Sequence, residues 1–182
     1  MDDLSALKVL IKKIFPPDKC VFTVDSNGDG SPDALLIRAL NVVFPFEIPE
    51  EISIDKLDGK TIKDENFDVG TVLQIYLDDK QIDLSKQDID TDTIQERFLL
   101  IHNNEKFSFL DIFDGNLSGR TIALGDKIDI LLRMDKSHFE RLTEGEHKFK
   151  IKSELFPTLK VNFTMNKDNF NVKYPLDPSK TE

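Results

Sequence analysis

The sequence predicts a mainly β protein, an antiparallel β-sandwich or open barrel with a short N-terminal helix. Three observations carry that expectation. Short runs rich in β-branched and aromatic residues recur along the chain, and Glu144 to Lys152 alternates most cleanly, with Phe149 and Ile151 on one side and lysines on the other. Turn-forming pairs separate such runs, as Asn103-Asn104 does between Arg97–His102 and Glu105–Ile112. Several runs are led by glycine, which takes the backbone angles a turn demands before a strand.

In order, Asp3 to Phe15 reads as an amphipathic helix. Asp3 or Ser5 caps it, Leu4, Leu7, Ile11 and Ile14 share a face, and Pro16-Pro17 ends it. Its apolar stripe is expected to pack on its own domain. Val21–Val24 is a strand leading into an acidic loop, and Ala34–Ile37 returns from it as a hairpin. Arg38–Phe44 fits strand or helix equally, and Pro45 and Pro49 then make the chain extended. Thr158–Met165 and Asn169–Tyr174 flank Asn166-Lys167-Asp168 and predict a second Asn-turned hairpin.

Leu57-Asp58-Gly59-Lys60-Thr61-Ile62 recurs as Leu117-Ser118-Gly119-Arg120-Thr121-Ile122, each copy followed by a Gly-led strand. The repeat marks either two related β-subdomains or the turn-then-strand idiom of any antiparallel protein. The expected organisation is a region 1–84 carrying the helix, β structure and acidic loop, a polar linker at 85–95, a second β-region at 96–174, and a tail at 175–182.

Bulk composition narrows function. The chain has 182 residues and a formal net charge of -10, which opposes binding to phosphate backbones and disfavours nucleic acid as a partner. Charge interrupts every apolar run well short of a membrane span. The single cysteine, Cys20, excludes an internal disulfide framework and a cysteine-based zinc cluster, and its apolar surroundings predict a buried, inert thiol. No secretory signal is visible at the N-terminus. His102, His138 and His147 lie far apart with no ligand spacing, and no nucleophile, base and orienting group can be nominated together. The chain is therefore read as non-enzymatic.

One stretch names a chemistry: Asp25-Ser26-Asn27-Gly28-Asp29-Gly30-Ser31-Pro32-Asp33. Asp25, Asn27 and Asp29 stand at alternate positions, Gly30 permits a sharp turn, Ser31 offers its backbone carbonyl, and Asp33 can bind directly or through water. Calcium takes six to eight oxygens at flexible geometry, and this spacing supplies them. Carboxylates crowded without a cation repel one another. The competing expectation is an Asn-Gly/Asp-Gly surface turn with solvated carboxylates.

Asp25-x-Asn27-x-Asp29-Gly30-x-x-Asp33 resembles the calcium loops of FG-GAP repeats, thrombospondin type 3 repeats and dockerins. The resemblance covers the loop and its flanks, and implies a calcium-binding loop on a hairpin, not a propeller. The EF-hand pattern fails at its twelfth position, where Leu36 stands in place of a bidentate glutamate. The expected function is a calcium-stabilised β-rich structural or interaction protein with a protein partner, through self-assembly or a larger complex. Extracellular, surface or particle-associated use suits calcium supply. The alternative is a carbohydrate- or small-ligand-binding β-domain, against which the absence of Trp counts.

Overall fold

The computed structural model describes residues 3–48, 73–82, 97–108, 111–112, 115–134, 136–153 and 158–175; for residues 3–8 and 136 only the backbone is described. Helix α1 spans Asp3–Ile14 and a short helix α2 spans Lys136–Phe139. The strands are β1 (Val21–Asp25), β2 (Ala34–Leu40), β3 (Phe46–Glu47), β4 (Leu73–Leu77), β5 (Lys80–Ile82) and β6 (Phe98–His102). They continue as β7 (Glu105–Ser108), β8 (Thr121–Ile122), β9 (Lys127–Arg133), β10 (Gly145–Ser153), β11 (Leu159–Met165) and β12 (Val172–Lys173). A six-stranded sheet has the order β12-β1-β2-β9-β6-β7, a four-stranded sheet the order β11-β10-β4-β5, and β3 pairs β8 in a small ribbon.

The mainly β architecture agrees with the expectation, and the two larger sheets enclose a common core as in a sandwich. Val21, Leu35, Ile37 and Leu132 of one sheet share a buried cluster with Ile75, Phe149, Ile151, Val161 and Phe163 of the other. Ile11, Ile14 and Phe15 of and after α1 close one end of it, so the described part of the helical stripe packs on its own domain. Each large side chain so buried contributes about 1.5–3 kcal/mol.

β2 runs on through Arg38, Ala39 and Leu40 as strand, deciding the element that the sequence left open. Its run of apolar residues shows no alternation because both faces are covered. Leu35 and Ile37 face the inter-sheet core, while Ala34 and Leu36 pack with Phe22, Val24, Ile101 and Leu131 on the opposite side. On that side the Arg38 guanidinium meets Asp129 through two 2.7 Å hydrogen bonds, across paired positions of β2 and β9.

Strands of 1–84 and of 96–174 share both large sheets: β2 pairs β9, β12 pairs β1 in parallel, and β4 pairs β10. The linker 85–95, the first repeat copy and all of the tail beyond Pro175 lie outside the described residues. The Asn103-Asn104 hairpin forms as expected, with both asparagines left-handed (φ 51° and 65°), the backbone a two-residue hairpin turn requires.

One expectation is corrected. Asn166-Lys167-Asp168 does not turn a hairpin, since β11 pairs β10 while β12 lies beside β1 in the other sheet. Asn166 instead caps a 3₁₀ turn at Lys167–Asn169, accepting from the Asp168 N–H, while the Asn169 side chain accepts from the Asn166 N–H. The Asn169 amide donates to the carbonyls of Asp18 and Val21, which draws the chain across to β1. Cys20 is fully buried, and burial pushes its thiol up to about 12, consistent with an inert group.

Candidate functional site

The acidic stretch is the connection between β1 and β2, whose antiparallel register runs from Val24 opposite Ala34 to Val21 opposite Ile37. Asp33 N–H donates to the Val24 carbonyl at 3.0 Å and closes the neck of the loop. Beyond the neck, side-chain oxygens take the place of strand partners. Asp25 Oδ1 accepts from the N–H groups of Gly28 (2.6 Å) and Asp29 (3.2 Å), and its Oδ2 accepts from Gly30 at 2.9 Å. Asn27 Oδ1 accepts from Asp29 N–H at 2.9 Å, and Asp29 Oδ1 accepts from the N–H and hydroxyl of Ser31 at 2.8 and 2.6 Å.

These are nested side-chain-to-backbone turns, the local habit of Asp and Asn. Gly28 and Gly30 make them possible, with φ of +81° and +90° and nothing within 4 Å of where a Cβ would stand. The loop is tied to the C-terminal strand as well. Asn171 Nδ2 donates to the Gly30 carbonyl at 3.0 Å, and Asn171 N–H donates to Thr23 Oγ1 at 2.7 Å.

The five residues singled out by the sequence thus occupy one hairpin tip, but not in equal roles. Asp25, Asn27 and Asp29 cluster around the exposed turn, with Asn27 Nδ2 donating to Asp29 Oδ2 at 3.4 Å. Asp33 turns to the base, where its two oxygens accept from the N–H and hydroxyl of Ser26 at 2.6 and 2.7 Å. Among the described residues, no three His, Cys, Asp or Glu side chains gather as a metal-holding group. The donor set fits a hard cation in chemistry, being all oxygen, while the three carboxylates do not converge in this arrangement.

The sequence missed a second acidic tip, the Asp78-Asp79 turn joining β4 and β5, with both residues left-handed (φ 50° and 62°). Asp78 accepts from His147 Nδ1 at 2.7 Å and from Lys148 N–H at 2.9 Å, while His147 Nε2 lies 2.8 Å from the Thr143 carbonyl and its ring stacks on Phe163. Lys150 and Lys148 hold the Asp79 carboxyl below the usual carboxylate range, Lys150 contributing most. The signal in the sequence was a two-residue acidic pair between β-rich runs. Its partners lie about 70 residues away and leave no local trace.

A third cluster places His102 Nε2 2.9 Å from Asp126 Oδ2, which also accepts from Ala123 N–H. The His102 hydrogen bond, reinforced by the Ala123 N–H, lowers the Asp126 carboxyl below its ordinary range. Among the described residues, no helix is long and apolar enough to cross a membrane. Compared with known proteins, the chain matches no family model and no curated protein.

Proposed function

We propose that this is a non-enzymatic structural or interaction protein whose β1–β2 tip takes a calcium ion. The observation that carries the reading is the oxygen-lined loop itself. Asp25, Asn27 and Asp29 present side-chain oxygens at an exposed turn whose backbone is already pinned by those same side chains. Asp25 Oδ1 and Asp29 Oδ1 each accept twice already, whereas Asp25 Oδ2 and Asn27 Oδ1 each accept once and keep a lone-pair site for a cation. Asp25, Asn27 and Asp29 would hold the ion, with the Ser31 carbonyl and with Asp33 directly or through water. Direct ligation by Asp33 trades its two hydrogen bonds to Ser26 for the ion.

The loop stands where a brace acts on both ends of the chain. It joins β1 to β2, and through Asn171 it touches the segment leading into β12. An ion that fixed Gly30 would fix the β1–β12 pairing with it, so the mechanism is a clamp on the edge of the six-stranded sheet. Binding to the folded state alone would add roughly 2.7 kcal/mol at a hundredfold excess of free calcium over its dissociation constant. Isothermal titration of chelator-treated protein with calcium chloride tests it, and Asp25→Ala with Asp29→Ala should remove the binding heat. Heat unchanged in that double variant would place any bound calcium elsewhere.

A further inference from the structure

The four-stranded sheet ends at β11, and the open side of that strand faces a groove of about 780 Å³ walled on its far side by α1. In an antiparallel strand the main-chain N–H and C=O of alternate residues point to the same side. The Thr164 N–H donates away from β10, to the Pro17 carbonyl at 2.7 Å, so the main-chain groups of Asn162 and Lys160 point the same way, into the groove. Neither has a main-chain partner on that side among the described residues. The Pro17 carbonyl belongs to the turn that follows α1, and its contact with Thr164 marks where the open stretch ends.

Edge strands left unpaired invite another chain, and natural proteins usually cover or blunt them. Among the described residues the edge is flanked rather than covered. Val9 stands 56% exposed on the helical wall, and Lys12 and Lys160 are exposed on opposite walls with no ion-pair partner among the described residues. The groove is also lined by Asp78 and Lys148, which are paired with His147 and Asp79, and by exposed Glu146. Two uncommitted lysines thus stand against one carboxylate, and the balance favours an acidic occupant.

We infer that this groove binds an extended acidic peptide segment of a partner protein, which adds as a strand to β11 through the main-chain groups of Lys160 and Asn162, with Lys12 and Lys160 pairing its carboxylates and Val9 meeting its apolar side chains. Main-chain hydrogen bonds supply the affinity in this mode of recognition, and alternate side chains the selectivity. The inference supplies the partner surface for the interaction half of the proposed function and does not depend on the calcium half.

The test uses the full chain and two fluorescein-labelled decapeptide pools, alternating Val, Ile or Phe with Asp and Glu in one pool and with Lys and Arg in the other. Fluorescence anisotropy should report binding of the acidic pool alone, in calcium and in chelator equally, so that loss of the calcium reading leaves this one intact. Lys12→Glu with Lys160→Glu should weaken binding at least about tenfold, scaled to two lost charge pairs. Asn162→Pro deletes one N–H that faces the groove while leaving the bonds to β10, and should abolish binding. N-methylation of alternate residues in the peptide makes the same cut without touching the protein, and should abolish binding in one register only. The inference is overturned if the acidic pool fails to bind, if both pools bind alike, or if neither Asn162→Pro nor N-methylation matters. A dimer that Asn162→Pro converts to monomer would overturn it too, assigning the edge to a second copy.

Discussion

Two hairpin tips in this molecule carry crowded aspartates, and they neutralise them in opposite ways. At the β4–β5 turn, Asp78 and Asp79 reach across to β10 and meet His147, Lys148 and Lys150. At the β1–β2 tip, Asp25 and Asp33 find only N–H and O–H groups of their own loop, and no protein cation pairs with either among the described residues. Hydrogen-bond dipoles orient a carboxylate but leave its charge in place. At the first tip lysines on β10 stand against Asp79, while Asp25 and Asp33 of the second are held by hydrogen-bond donors alone among the described residues. The proposed calcium site rests on that difference.

That contrast can be broken from either side. The largest effect is expected at Asp25, whose carboxylate accepts from the N–H groups of Gly28 and Gly30 and shares that of Asp29 with Asn27 Oδ1. Asp25→Ala should cost about 1–2 kcal/mol, as loss of a strong helix cap does, and should abolish any calcium-dependent rise in melting temperature. Chemical denaturation in calcium and in chelator checks both parts. Asp78→Ala comes next, at about 1 kcal/mol, since it leaves His147 Nδ1 and the Lys148 N–H without an acceptor. The contrast requires that this variant keep the full calcium response.

Asp79→Ala should move the melting temperature least, because its partners are lysines at an exposed surface, and what difference exists should vanish in high salt. The same pairing sets a pH dependence. The Asp79 carboxyl is held below its ordinary range in the folded chain, mainly by Lys150. Its stabilisation is therefore complete above the ordinary carboxylate range and is lost as pH falls toward the lowered folded value. Asp79→Ala should flatten the acid limb of a stability–pH curve slightly, and Asp25→Ala measured in chelator provides the comparison.

The β1–β2 loop was legible in the sequence because every determinant of its shape is local. Alternating Asp and Asn, two left-handed glycines and a neck closed by Asp33 all lie within nine consecutive residues. β10 was legible for the same kind of reason, with one face buried and the other wet, so that alternation survives. β2 was only half legible, because a strand buried on both faces loses the period that distinguishes it from a helix. The fate of Asn166–Asn169 was hidden, because the carbonyls that capture Asn169 belong to the chain before and within β1. The Asp78–His147 contact and the open edge of β11 were hidden likewise, being products of which strands become neighbours.

The central claim is that the β1–β2 tip is completed by calcium and the β4–β5 tip is not. The most direct measurement is the melting temperature of the wild-type chain, first stripped with chelator and then returned to millimolar calcium, with magnesium as the control cation. The account predicts a rise in calcium that exceeds the rise in magnesium, is absent in Asp25→Ala and is preserved in Asp78→Ala. Superimposable melting curves in chelator and in calcium would contradict it.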